Sequence, residues 1–283
     1  MSHFSSIRVS MVGAWLAGVK YRVAWYHTLS NQLKDGVDHY TQRQLVLMRT
    51  KLAYWFANIV VALSNAGKVD AMHFLHKPAS AVTVINNGMM LPVKVEPQLW
   101  ERGEKKFLFL GRFHHSKGGD FIIECSKCLK ERYPGFRLSI VGYGQEEDNW
   151  KQIIKDGKLE NVVNIPSKVE GYSEVFKHLV TAYALLVPSR MDNFPTVIIE
   201  AKACTVPSIA SKVGGIPEMI EDGVDGFLCK ADDVEDWINK ISVLIDSSET
   251  RNNMALHAKS SFDAKFDINS HIHNVRALLK TLV

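Results

Sequence analysis

Cysteine is scarce in this chain: Cys125, Cys128, Cys204 and Cys229 are all that 283 residues carry. Four thiols so placed make no disulfide framework for a chain of this size, which fits a reducing, cytoplasmic compartment and excludes the small disulfide-stapled folds. Cys125-Ser126-Lys127-Cys128 has redox spacing, but both thiols fall inside the amphipathic stretch Asp120 to Arg132, away from a helix amino terminus where a thiolate would gain stabilisation. Long apolar runs are missing too. The longest, Val9 to Val19, is interrupted by Ser10 and Gly13 and is far short of the roughly 20 residues of a membrane span. With a single arginine ahead of it, it reads as a helix over Ser6 to Ala17 that stops at Gly18, not as a secretion signal. No run of lysine and arginine stands out and the net charge is only +4. A nucleic-acid partner is therefore not implied, whereas an anionic small molecule or peripheral contact with an acidic membrane surface is compatible. No Asp-x-Asp follows a strand, and His114-His115 and the pair His73 and His76 lack a matching ligand set, so no metal site is expected.

What is present is a globular composition, 46% hydrophobic and 23% charged, long enough for one large or two ordinary domains. From Phe107 onward short apolar runs alternate with amphipathic stretches. Strands are expected at Phe107 to Leu110, Phe136 to Val141, Val162 to Ile165, Ala184 to Val187, Ser208 to Ala210 and Gly226 to Cys229. Helices are expected at Asp120 to Arg132, Glu146 to Asp156, Ser173 to Thr181, Pro195 to Ala203, Ile216 to Glu221 and Val234 to Ile245. Strict alternation at these lengths argues for an α/β parallel sheet covered on both faces, with Gly135, Gly142, Gly144, Gly171 and Gly214-Gly215 at the changeovers. The first hundred residues repeat the pattern: helix Ser6 to Ala17, strand Tyr21 to Trp25, helix Thr41 to Phe56, strand Asn58 to Leu63, helix Asn65 to Leu75, strand Val82 to Ile85 and the turn Asn86-Asn87-Gly88. Met89 to Lys106, with Pro92 and Pro97, reads as a linker. Residues 1–96 are thus expected to form a partial first domain, lacking its opening strands, and 97–266 a complete second one. The last segment reads as two helices divided near Phe266-Asp267, with Asp267 as an N-cap. Residues 267–283 form the final helix, whose apolar stripe needs a surface and packs back on the first domain.

Two strand ends carry the chemistry. After Phe107 to Leu110 come Gly111-Arg112 and Lys117-Gly118, two cations among glycines. After Ala184 to Val187 comes a turn holding the carboxylate Asp192, then Asn193-Phe194-Pro195-Thr196-Val197 opening a helix that carries Glu200. Proline suits the first helical turn, and the amides of Thr196 and Val197 are left to bind an anion. Gly142 and Gly144, flanking Tyr143 after a third strand, permit close backbone approach to a ligand. Two strand ends converging on one anionic ligand is the expectation of such a sheet.

The strand ending Trp25-Tyr26-His27-Thr28, then Asn87-Gly88, Gly111-Arg112 with Lys117-Gly118, Val141-Gly142-Tyr143-Gly144, Pro188-Ser189 with Asp192 and Glu200, and Gly214-Gly215-Ile216-Pro217-Glu218 with Gly223 and Gly226 occur in an order and spacing more specific than any one motif. In these, from Ser6 to Leu228, the chain resembles the nucleotide-sugar-dependent glycosyltransferases of the two-domain GT-B fold, in particular the large retaining family often called family 4. The resemblance implies two Rossmann-like domains, the first abbreviated, and transfer of a sugar from a nucleotide diphosphate sugar to the hydroxyl of a saccharide or lipid-linked acceptor. It implies retention of configuration, no cofactor or metal, and a place in cell-envelope polysaccharide or lipopolysaccharide synthesis. Arg112 and Lys117 would neutralise the leaving diphosphate, a cation at 4 Å being worth roughly 4 kcal/mol at an effective dielectric of 20. Gly111, Gly142, Tyr143, Gly144 and Asn193 to Val197 would line the donor, Glu200 would accept from the ribose hydroxyls, and His27 would face the donor sugar across the cleft. At Asp192 the family pattern has glutamate, one methylene longer, so the sugar contact there is shortened. The alternatives are a non-catalytic nucleotide-sugar-binding remnant and a GT-B-type nucleotide-sugar epimerase.

Overall fold

The alternating pattern folds as two separate parallel sheets in the structure, a computed structural model that describes residues 6–34, 40–90, 104–166 and 172–282. The first sheet is built from α1 (Ser6–Leu16), β1 (Val23–Tyr26), α2 (Tyr40–Trp55), β2 (Ile59–Ala62), α3 (Asn65–Leu75) and β3 (Val82–Val84), with strand order β1-β2-β3. Val60, Ala62, Ala24 and Tyr26 turn inward against Ala53, Tyr54, Ala71 and Leu75 of the covering helices. Tyr26 and Tyr54 meet edge to face at 5.5 Å. α3 starts where the Ser64 hydroxyl accepts from the amide of Gly67 and ends at His76 in a left-handed conformation, so both helix ends are satisfied locally.

The second sheet holds β4 (Lys105–Arg112), β5 (Phe136–Tyr143), β6 (Val163–Asn164), β7 (Ala184–Val187), β8 (Ser208–Ser211) and β9 (Gly226–Cys229), in the order β6-β5-β4-β7-β8-β9. Its helices are α4 (Gly119–Arg132), α5 (Glu147–Asp156), α6 (Tyr172–Val180), α7 (Thr196–Ala203), α8 (Val234–Asp246) and α9 (Ser248–Ser261), and α10 (Ile268–Lys280) follows a π-helical turn at Phe262–Phe266. The core is aromatic-rich: Trp150 of α5 lies 4.8 Å from Phe113 and 5.5 Å from Phe109, and Trp237 of α8 meets Phe121 of α4. β7 is buried along its whole length, as a parallel strand with both faces covered must be.

Two expectations are corrected. β4 and β5 run to Arg112 and Tyr143, two residues beyond the apolar runs, because Gly111 pairs with Gly142 and Arg112 with Tyr143. With no side chain at Gly142 the two backbones close up, and a Cβ there would sit 1.8 Å from the Gly111 carbonyl oxygen. The helix expected at Ile216 to Glu221 is only a 3-10 turn over Ile216–Glu218: the Met219 amide bonds to the Ile216 carbonyl, and the Glu221 amide goes to the Asp225 carboxylate instead of continuing a helical ladder. The expected linker and its boundary near residue 96 fall, over residues 91–103, outside the described residues, as does Gly171. Two compact units result. One comprises the described residues of Met1–Asn87 with Asp192–Phe194 and Asn269–Val283, the other those of Gly88–Met191 and Pro195–Ile268.

Candidate donor-binding site

In the second unit the chain leaves β4 toward β5 and β6, while β7, β8 and β9 lie on the opposite side of β4. The gap beyond the carboxyl ends of β4 and β7 is therefore the topological switch point, where open α/β sheets leave a crevice. The residues picked out by sequence sit at these ends. Arg112 closes β4 and is exposed, and Lys117 ends a 3-10 turn over His115–Lys117 and is half-buried. Gly118 follows in the left-handed conformation, φ 69°, with its Cα so close to the β7 tip that a Cβ would lie 1.9 Å from the Pro188 carbonyl oxygen. The amide of Arg190 donates to the Ser116 carbonyl at 2.9 Å. The two tips are thus stitched together by backbone.

A side-chain clamp that sequence reasoning missed reinforces the stitch. The Arg190 guanidinium donates to both oxygens of Asp120 at 2.8 and 2.9 Å, to the His115 carbonyl at 2.8 Å and to Asp232 at 3.1 Å. Its two carboxylate partners raise its pKa against the opposing effect of burial. Arg190 is therefore a structural cation, and Arg112 and Lys117 are the ones presented at the β4 tip. An aspartate in the first turn of α4 was the available signal, but only folding reveals a partner 70 residues away. His114, to which sequence reading assigned no role, caps the turn: its Nδ1 accepts from the Ser116 amide at 3.2 Å.

At the neighbouring β5 tip, Gly142 and Gly144 bracket Tyr143, whose side chain is exposed and whose carbonyl accepts from the Phe113 amide at 2.8 Å. On the other flank, Pro195 is the N-cap of α7 and not its first helical residue. Pro195 makes no side-chain cap hydrogen bond at this helix start, where Thr196 is exposed and Val197 half-buried. Helix amides so placed bear partial positive charge. Glu200, one turn on, is buried; loss of solvation raises its pKa, opposed by a hydrogen bond from Thr196. A buried carboxylate near a strand tip is costly without donors to accept. Below it on α7, the fully buried Lys202 pairs with Asp225, which also accepts from the Glu221 amide at 2.9 Å. Burial lowers the pKa of Lys202 against the pull of that carboxylate.

His27, Asp192, Asn193 and Phe194 belong to the first unit. His27 follows β1 with an accessible ring, yet partial loss of solvation holds its imidazole below the ordinary histidine range. The expectation that Asn193 lines the donor meets an Asn193 side chain already engaged: it is buried, its Oδ1 accepts from the Ser64 hydroxyl at 2.8 Å, and its Nδ2 donates to the His27 carbonyl at 3.0 Å. Asp192 and Phe194 are also buried. The loop after β1 is pinned again by Asp70 of α3, whose carboxylate accepts from the Tyr26 hydroxyl at 2.5 Å and from the Ser30 amide and hydroxyl at 2.7 and 2.6 Å. Ser64 and Asp70 escaped sequence reading because both look like ordinary helix-start and helix-surface residues. Among the described residues no group of three metal-ligating side chains assembles. The Cys125 thiol is buried and pushed up to about 12, so the Cys-x-x-Cys spacing does not make a reactive pair.

Comparison with known proteins adds the deciding observation: the model of the glycosyl transferases group 1 family matches residues 93–261, well over half of the chain and all of the strand tips just described in the second unit. The chain belongs to that family. Over 213 residues it is 27% identical to an uncharacterised glycosyltransferase of Haemophilus influenzae, covering 75% of this chain and 58% of the relative. Over 215 residues it is 26% identical to the amylovoran biosynthesis glycosyltransferase AmsK of Erwinia amylovora, covering 74% and 49%. The chain spans about half the length of the curated relatives it matches. The structure of HepE from Anabaena in complex with UDP-glucose superposes with a TM-score of 0.81 at 20% identity, covering 99% of this chain and 77% of that one. The two-sheet α/β architecture is thus that of the GT-B fold.

Proposed function

We propose that the chain transfers a sugar from a nucleotide diphosphate sugar to an acceptor hydroxyl, with retention of configuration, in the assembly of a cell-surface polysaccharide or lipopolysaccharide. The observation that carries the reading is the placement of Arg112, Lys117, the start of α7 and the buried Glu200 around one switch point in a member of the group 1 family. In this reading the diphosphate lies against the amides of Thr196 and Val197, and the ribose hydroxyls donate to Glu200. That contact supplies the buried carboxylate with the donors its environment favours. The base and ribose run past Gly142, Tyr143 and Gly144, where the glycines admit close approach. The bond between the sugar anomeric carbon and the phosphate oxygen breaks, and negative charge collects on the diphosphate beside Arg112 and Lys117. The acceptor oxygen bonds to the same carbon on the same face, and its proton passes to the departing phosphate oxygen. Asp192 and His27 contact the donor sugar. Retention, the family 4 assignment and hexosyl or N-acetylhexosaminyl transfer rest on the motif resemblance, and the pathway on relatives such as the amylovoran enzyme.

The test is incubation of the purified chain with a panel of UDP-, GDP- and ADP-sugars, following nucleoside diphosphate release and the fate of the sugar. Release that depends on Lys117, falling about 10²- to 10³-fold in Lys117→Ala while the fold persists, supports the reading. Unchanged release in that variant removes Lys117 from the mechanism. Binding with no turnover under any acceptor favours the remnant, and an altered sugar still attached to nucleotide favours the epimerase.

A further inference from the structure

Helix α2 carries two unlike faces. Thr50, Ala53 and Tyr54 are buried against the first sheet. On the opposite side Leu45, Met48, Leu52 and Trp55, spaced three and four residues apart, form one stripe about 15 Å long at 1.5 Å per residue. These are large side chains left open: Met48 is 63%, Leu52 57% and Trp55 74% exposed. At 100° per residue Lys51 falls on one border of the stripe and Arg49 on the other, both exposed; the Lys51 ammonium lies at the exposed carboxyl end of α3, 3.3 Å from His76 Nε2 and 5.1 Å over the Phe74 ring. α2 contains no acidic residue at all, and neither does α1, which packs on it and adds the exposed Trp15, its ring 5.2 Å from that of Phe56.

Soluble surfaces seldom expose a contiguous row of this kind without a partner. Two partners fit the apolar stripe, a bilayer and a second copy of the chain, and the charges separate them. A second α2 laid against the first would bring Arg49 and Lys51 against their own kind with no carboxylate on either helix to neutralise them. An anionic lipid surface instead places phosphates opposite both cations, takes the leucine, methionine and tryptophan side chains to the depth of the acyl boundary, and suits tryptophan at the headgroup level.

We infer that α2 is an interfacial helix that lies on an anionic membrane through Leu45, Met48, Leu52 and Trp55, with Arg49 and Lys51 reading the lipid phosphates. The inference does not depend on the chain's catalytic activity. The experiment is co-sedimentation of the full chain with vesicles of phosphatidylglycerol and phosphatidylethanolamine, against pure phosphatidylcholine. Binding to the anionic vesicles, weak or absent on phosphatidylcholine and falling with salt, is expected. Arg49→Gln with Lys51→Gln should lower the partition coefficient about tenfold or more, and Leu52→Glu with Trp55→Glu should abolish binding, each with an unchanged circular dichroism spectrum and unfolding midpoint. Equal binding to both lipids, no binding to either, or binding indifferent to these substitutions overturns the inference. So does a concentration-dependent dimer that Leu52→Glu with Trp55→Glu dissolves while vesicles stay bare.

Discussion

Gly118→Ala tests whether the β4 and β7 tips are held as closely as the structure shows. The residue sits at φ 69° and ψ 22°, where an L-residue with a Cβ loses roughly 1–2 kcal/mol relative to glycine. That conformational term is the smaller part. The new methyl would lie 1.9 Å from the Pro188 carbonyl oxygen and 2.9 Å from its carbonyl carbon, whereas unforced carbon–oxygen contacts begin near about 3.3 Å. One loop must therefore retreat by roughly 1.4 Å. The Pro188 side has little freedom to do so, since Arg190 is bonded through its amide to Ser116 and through its guanidinium to Asp120. Overpacking of this kind costs about 1–3 kcal/mol, so the whole substitution should destabilise the second unit by about 2–5 kcal/mol.

The matching control is Gly135→Ala. That glycine has no atom within 4 Å of a built Cβ and no positive φ, so its alanine should fall within about 1 kcal/mol of wild type. Urea unfolding of both variants gives the comparison, and calorimetric titration with whichever nucleoside diphosphate the donor panel identifies reads the site. Displacing the tip by an ångström should also weaken turnover about 10²-fold if Lys117 and α7 act together on one diphosphate. A Gly118→Ala protein with the same unfolding midpoint as Gly135→Ala and unaltered nucleotide affinity would refute the argument that these tips are in contact and function as one surface.

Lys202→Met should cost about 3–5 kcal/mol in denaturant unfolding, because it leaves the buried Asp225 carboxylate without its cation. Adding Asp225→Asn, which keeps an oxygen for the Glu221 amide, should restore most of that loss. Because burial raises the pKa of Glu200 in the native state, the native chain holds this proton more firmly than the unfolded one. Its contribution to stability is therefore present at low pH and is lost as pH rises from the ordinary glutamate range through the raised native value. Glu200→Gln should flatten that part of the stability profile, and a difference curve that does not change sign or slope there would contradict the burial argument. Asn193→Ala should destabilise by about 1–3 kcal/mol, and a double-mutant cycle with Ser64→Ala should show a coupling above about 0.5 kcal/mol, as expected for two side chains in direct contact.

The second unit was legible because its signals are local. β4, β5 and β7 are short apolar runs, α5 and α8 show a 3.6-residue stripe, and the tips of β4, β5 and β7 are marked by glycine or proline; β7 and β9 span the expected residues, Ala184–Val187 and Gly226–Cys229. Where local signals mislead, pairing decides. Gly111 and Gly142 look like strand terminators along the chain, yet each permits the other to continue the ladder by one more pair. Ile216 to Glu221 shows the reverse: it has helical spacing, but the Glu221 amide is taken by the Asp225 carboxylate and only one turn forms.

The site was legible as a set of candidate groups and illegible as a division of labour. Arg112, Lys117 and Arg190 are all cations near strand ends, and nothing along the chain says which is taken. Only the fold assigns Arg190 to Asp120 and Asp232, 70 and 42 residues away. Asn193 shows the same dependence on the fold. Its place beside the carboxylate motif suggested a ligand contact, while its side chain serves to fasten Ser64 to the His27 carbonyl. An amide can satisfy a hydroxyl and a carbonyl at once because it both accepts and donates, and aspartate at that position could not donate to His27. The residue's identity is then explained by what it holds in place.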